Sequence, residues 1–173
     1  MWFGKKNVQT DAEEEVNLLA DLLLVVDGAQ PSVAAAHFAV ALAAQTGSSI
    51  TAVYVVDTAT MDYLLQMRIF VKEEREEFER ELDGTGRRYL DFVATLAARR
   101  EVALEPVLGH GRFHQTILKE ARTRAVSAIV IGGWRRSIMR KDATSVERQL
   151  ILDQADCPVI VVKDDEPRSA ERG

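Results

Sequence analysis

The 173-residue chain has a single cysteine, Cys157, so it can form neither an intramolecular disulfide nor a thiolate zinc knot, and nothing in it requires an oxidising compartment. Long hydrophobic runs are missing too. The best stretch, residues 18–26, is interrupted by Asp21 and falls well short of the roughly eighteen residues of a membrane span. It follows Asp11, Glu13, Glu14 and Glu15, where a secretory leader would be basic, and the expectation is a cytoplasmic protein. Four prolines and ten glycines are too few for a collagenous or low-complexity chain. A net charge of -5 removes any general electrostatic reason to bind nucleic acid. What is present, 47% hydrophobic and 28% charged residues, suits one globular domain that buries about 70% of its unfolded surface.

From Leu18 onward, strand and helix signals alternate. Leu22–Val26 is a continuous apolar run of strand length, as expected for a strand covered on both faces. Asp27-Gly28 ends it. Pro31-Ser32 opens an Ala-rich helix to about Thr46, with Ser32 as the expected N-cap and Gly47 as the C-terminal stop. Ile50–Val56 is a second strand. Residues 58–100 read as mostly helical with a break at Gly84-Thr85-Gly86, and Tyr89, Phe92, Val93 and Leu96 recur at core spacing. Between Lys72 and Glu81, six glutamates stand against three basic residues, the pattern of a solvated helix face.

Val102–Leu108 is a third strand, made a better edge than centre by Pro106. Phe113–Ala125 is a helix that buries Ile117 and Leu118, and Ala128–Ile131 is a fourth strand closed by Gly132-Gly133. A basic loop, a helix over about 144–155 and the strand Val159–Val162 complete the pattern. Strands separated by helices imply a doubly wound α/β fold, with a mainly parallel five-stranded sheet covered on both faces. The organisation expected is a tail over 1–17, one domain over 18–163 and a charged tail over 164–173. Trp2 and Phe3 read as part of a loose terminus, or alternatively as a short docking or membrane-surface anchor.

In such a fold, ligands sit beyond the carboxyl ends of the strands where strand order reverses. Asp27 is therefore a candidate: it could contact a ligand, or it could simply satisfy N–H groups in the Asp-Gly turn. His110, between two glycines, is expected in a loop, and His114 to open a helix. Their spacing is half a metal site without a third ligand, so no metal is expected. Trp134 reads as packing over apolar neighbours, or as a cover for a ligand. Cys157 reads as a small packed residue. No nucleophile–base pair or paired carboxylates form an interpretable pattern, so no enzymatic activity is expected.

Three segments, Leu22–Gly28 leading through the Ala-rich helix to Thr51–Asp57, then Ala128–Gly132, then Gln154–Val162, together resemble the universal stress protein family. The resemblance implies a Rossmann-like sheet of order 3-2-1-4-5 and a homodimer through the last strand, Val159, Ile160, Val161 and Val162. It also implies a stress-response role and an unidentified regulatory partner. In the family's nucleotide-binding branch, ATP or another adenine nucleotide with Mg2+ would lie beside Asp27 and Val55, its phosphates wrapped by the loop after strand four. Here that loop departs from the pattern. Counting without gaps from Gly132, the second glycine position holds Arg135, the third Ser145 and the hydroxyl position Val146; a one-residue shift would put Thr144-Ser145 at the Gly-Ser position, with a hydroxyl but still no third glycine. Glycines let backbone N–H groups approach phosphate, so the cradle is degenerate. Arg135 and Arg136, in a loop with four cations over 135–141, could replace it in part or form only a basic surface. An exposed apolar edge strand must be covered, which is an independent physical reason for pairing along residues 159–162.

Overall fold

The computed structural model describes residues 17–134 and 143–164. Trp2, Phe3, Arg135, Arg136 and the tail beyond Asp164 lie outside the described residues, as do the readings that rest on them. Five strands, β1 (Asp21–Val26), β2 (Ser49–Val56), β3 (Leu104–His110), β4 (Ala128–Gly132) and β5 (Val159–Val162), form one sheet in the order β3-β2-β1-β4-β5. Every neighbouring pair is parallel. The helices are α1 (Gln30–Thr46), α2 (Thr58–Gln66), α3 (Lys72–Arg99), α4 (Phe113–Thr123) and α5 (Ala143–Gln154).

The period of two along β1 sorts the core into two layers. Leu22, Leu24 and Val26 meet α1 and α3, while Leu23 and Val25 meet Ile117 and Leu118 of α4 and Ile151 of α5. Burying each such side chain is worth roughly 1.5–3 kcal/mol, so the central strand is the strongest single contributor to the sheet. On α1 the stripe Ala35, Ala36, Ala39, Val40 and Ala43 is buried, its small side chains letting the helix lie close to β1 and β4.

Pro106 lies on edge strand β3, opposite Ala52, as expected. Ile50 donates its N–H to Ala103 O, and the alternation of a parallel ladder then turns the Pro106 nitrogen outward, where no donor is needed. Gly47 ends α1 with φ +70 and donates to Ala43 O. The expected N-cap at Ser32 is corrected. Ala29 is the N-cap and Pro31 lies in the first turn, where its fixed φ suits a helix start. Ser32 instead bridges back, accepting from Asp27 N at 3.0 Å and donating to Val25 O at 3.4 Å.

The expected break at 84–86 is absent: α3 runs unbroken for 28 residues. Gly86 is buried, and a Cβ there would lie 2.5 Å from the Tyr54 ring. The glycine costs the helix about 1 kcal/mol in propensity and in return admits close approach to β2. Phe92 is not core but exposed, edge-on to His37 of α1 at 6.2 Å. A helix of about 42 Å against a strand of about 26 Å turns only a narrow stripe toward the sheet. That stripe is Gly86, Leu90, Val93 and Ala97. Most of the Glu-rich stretch is exposed, with Arg75 tying Asp62 of α2 at 2.7 Å and Glu79 at 2.6 Å. Strand three is shifted two residues from its expected span, which makes His110 its last residue rather than a loop residue; His110 Nε2 lies 2.8 Å from Asp83.

Candidate functional site at the strand-order reversal

Sheet order reverses between β1 and β4, both followed by helices on opposite faces, and the carboxyl ends of β1 and β2 open into a cleft of about 380 Å³. Its apolar wall comes from Val55 and Tyr54 at the end of β2 and from Phe113 at the start of α4. Its polar groups are Asp27, Asp57, Glu147 and Arg148. Among the described residues, three carboxylates and one guanidinium thus line the cleft.

Each carboxylate has a defined duty. Asp27 follows β1 in an Asp-Gly turn, and its Oδ1 accepts from Ala29 N at 2.9 Å. Its Oδ2 pairs with the Arg148 guanidinium from α5. Both readings of Asp27 thus meet in one residue that satisfies a turn N–H and also faces the cleft. Asp57 caps α2, accepting from Thr60 N at 3.2 Å. Glu147 reaches across to α4, where Oε2 accepts from His114 N at 2.9 Å and lies 2.6 Å from His114 Nδ1. A carboxylate at a helix N-terminus is favoured by the unpaired N–H groups and the helix dipole. Two consecutive residues of α5 therefore hold the two sides of the cleft: Glu147 the start of α4, Arg148 the end of β1.

Arg148 is buried, with 8% of its side chain exposed, and its guanidinium carbon lies 5.6 Å from the centre of the Phe113 ring. Burial pulls its pKa below the usual arginine value. Sequence reasoning passed over this residue. The signal was available in its position one turn before Ile151, which is fully buried on the same helix stripe. An arginine on an apolar stripe must bring its own anion.

The glycines of the candidate set serve packing. A Cβ on Gly132 would lie 2.5 Å from Pro31 C and 2.7 Å from Ser32 N, so β4 ends against the backbone of the first turn of α1. Gly133 N donates to Val162 O at 2.7 Å. Ser145 lies in the first turn of α5, and Val55 lines the cleft with Asp27. Trp134 packs against the α4–α5 layer.

A second cavity, about 340 Å³, opens at the other end of the sheet between Leu118, Val126 and Cys157, with Arg122 and Asp156 paired at 2.6 Å on its rim. Cys157 is half-buried there, and desolvation, reinforced by the Asp156 charge, pushes its thiol pKa up. A raised pKa means less thiolate at a given pH, so alkylation by iodoacetamide at pH 8 should be slower than for a free cysteine and should accelerate as pH rises further. Equal rates in the native and guanidinium-unfolded protein would contradict this.

No helix among the described residues is long and apolar enough to cross a membrane. The sequence pattern of the universal stress protein family matches residues 20–163. The chain is 25% identical over 148 residues to universal stress protein YxiE of Bacillus subtilis, covering 82% of this chain and 97% of that protein. It also resembles the crystal structure of a universal stress protein family member from Burkholderia pseudomallei, with 26% identity, TM-score 0.64, and 84% and 96% of the two chains covered. UspA of Lactobacillus plantarum is similar at 25% identity and TM-score 0.60, covering 83% and 97%.

Proposed function

We propose, from the premise that this chain belongs to the universal stress protein family, that it is a cytoplasmic, non-enzymatic regulatory protein acting as a homodimer joined along β5 and through contacts with a protein partner. The observation that carries this reading is the outer edge of the sheet. Pro158 O and Val162 O accept from Ile129 N and Gly133 N of β4, so the alternation of a parallel ladder turns the Val159 and Val161 amides outward. Val161 is 38% exposed on that strand. A four-residue apolar edge with unpaired backbone groups invites a second strand, and a twofold copy in antiparallel register supplies one.

Ile160 and Val162 pack on the α1 side of the core, whereas Val161 is the outward residue, so Val161→Lys alters the edge with least damage to the fold. Light scattering should give twice the 19.3 kDa chain mass for the native protein and the single mass for Val161→Lys. An unchanged dimer would remove β5 from the account.

A second reading, an adenine-nucleotide sensor, is favoured by the cleft, where Asp27 and Val55 stand together at the strand-order reversal. Two proteins of the same fold were crystallised with such ligands: one from Arabidopsis thaliana with AMP bound, and a universal stress protein in complex with cAMP. A cleft of about 380 Å³ is near the lower end for small-molecule sites and suits a nucleoside with one phosphate. Arg135 and Arg136 would be the loop cations nearest in sequence.

A further inference from the structure

The end of α2, the linker after it and the first half of α3 form a hairpin that the core does not hold. Met61 is the buried residue of α2, and the buried stripe of α3 begins only at Gly86. Of ten large hydrophobic side chains exposed among the described residues, five fall within this hairpin: Tyr63, Met67, Ile69, Val71 and Phe78. Their exposures run from 42% to 62%. Single exposed apolar residues are ordinary, but a concentration of them rimmed by charge marks an interaction surface. The display is also fixed in shape. Arg68 holds a left-handed turn at φ +58, Ile69 N donates to Leu64 O at 2.9 Å, and Glu74 accepts from Val71 N at 3.1 Å. Arg75 ties α3 to Asp62 of α2, and Phe70 meets Phe78 edge-on at 6.2 Å. A surface already in shape loses little conformational freedom on binding.

The rim of the hairpin is acidic. Over residues 58–83 eight carboxylates stand against four cations, and one of these, Arg75, is engaged by Asp62 and Glu79. Glu74 and Glu81 lie four before and three after Phe78, on its own face of α3. This charge chooses among occupants. A second copy docking the same face would set carboxylate against carboxylate, and nucleic acid or an anionic membrane would be repelled. We propose that the α2–α3 hairpin is the docking surface for a protein partner that presents a cationic amphipathic helix. The apolar stripe of that helix covers Met67, Ile69 and Phe78, and its lysines or arginines meet the glutamates of α3. Such a partner gives chemistry to the one in the proposed function, and the assignment rests on that reading.

A fluorescent helical peptide of leucine and lysine alone, with its leucines on one face, is the probe, read by anisotropy. It should bind the native protein at least about tenfold tighter than a scrambled peptide of the same composition. Met67→Asp/Ile69→Asp, at two exposed positions, should weaken it by about tenfold or more. Glu77→Gln/Glu81→Gln should weaken it less and flatten its dependence on salt. Equal affinity for the two peptides would mean that net charge alone attracts them, and would overturn the surface. Binding unchanged by the hairpin substitutions overturns the surface too, but leaves partner binding itself standing. No binding to the native protein at millimolar peptide overturns both. A mass above the dimer that Met67→Asp/Ile69→Asp abolishes would hand the hairpin to a second copy. Peptide affinity raised about tenfold when the cations at 5–6 or 135–141 are replaced by serine would hand it to the chain's own basic segments. Either result overturns an outside partner.

Discussion

Replacing Asp27 with alanine should destabilise the protein by about 3 kcal/mol, the cost of removing one partner from a buried ion pair. The side chain of Arg148 is 8% exposed and that of Asp27 is 19% exposed, so solvent screens the pair only weakly. The same substitution also removes the acceptor of the Ala29 N–H at the start of α1. Most of the loss belongs to the desolvated guanidinium, which no longer faces this carboxylate, rather than to the Ala29 contact, and this can be separated. Asp27→Ala combined with Arg148→Met removes both charges and should recover stability to within about 1 kcal/mol of the native protein. Urea denaturation of the four proteins closes the cycle. Additive losses in the double variant would mean that the two residues do not act as a pair.

Gly132→Ala should cost about 3 kcal/mol, at the upper end of what overpacking produces. The added methyl would meet Pro31 C at 2.5 Å, Pro31 O at 2.6 Å and Ser32 N at 2.7 Å. These are backbone atoms, so no side chain can rotate aside. Relief requires α1 to shift, and with it the close contacts of Ala35, Ala36 and Ala39 with the sheet. For a chain of this length the melting temperature should fall by about 10 °C. Gly133→Ala is the control, since its added methyl would come no closer than 3.3 Å to Val162 O, and it should change the melting temperature far less. Both effects are expected without any ligand in solution. Equal melting temperatures for Gly132→Ala and the native protein would sever the link between this glycine and helix packing.

How much of this was legible in the sequence depended on whether the cause was local. Leu22–Val26, Ile50–Val56, Ala128–Ile131 and Val159–Val162 announce buried parallel strands by composition alone, and each is found within a residue or two of its expected span. Gly47 announces a helix stop because a left-handed residue favours glycine wherever it occurs. The order of the strands is not a local property, and it came from the likeness of three ordered segments to a family rather than from periodicity.

The misreadings share a different cause. Gly86 looks like a breaker until Tyr54, more than thirty residues earlier, is placed beneath it. Ser32 looks like a cap until Asp27 and Val25 claim its hydroxyl. Phe92 fits helical core spacing, but the length of α3 beyond the sheet leaves it outside. In the candidate site, Asp27 and Val55 were found because strand ends in this topology converge. Arg148 was not, because its significance lies in a partner 121 positions away, on the far side of three strands. Tertiary context decides each of these four residues.

Amide hydrogen exchange at Val161 tests the proposed dimer most directly. Its N–H lies on the outer side of β5, away from β4, so only a strand added along that edge can protect it. The account predicts that in the native protein Val161 exchanges nearly as slowly as Val130 of buried β4, and that dilution toward the dissociation constant speeds Val161 while Val130 stays slow. Rapid exchange of Val161 at high protein concentration, with Val130 still protected, would mean that the edge is bare and that this protein does not pair through it.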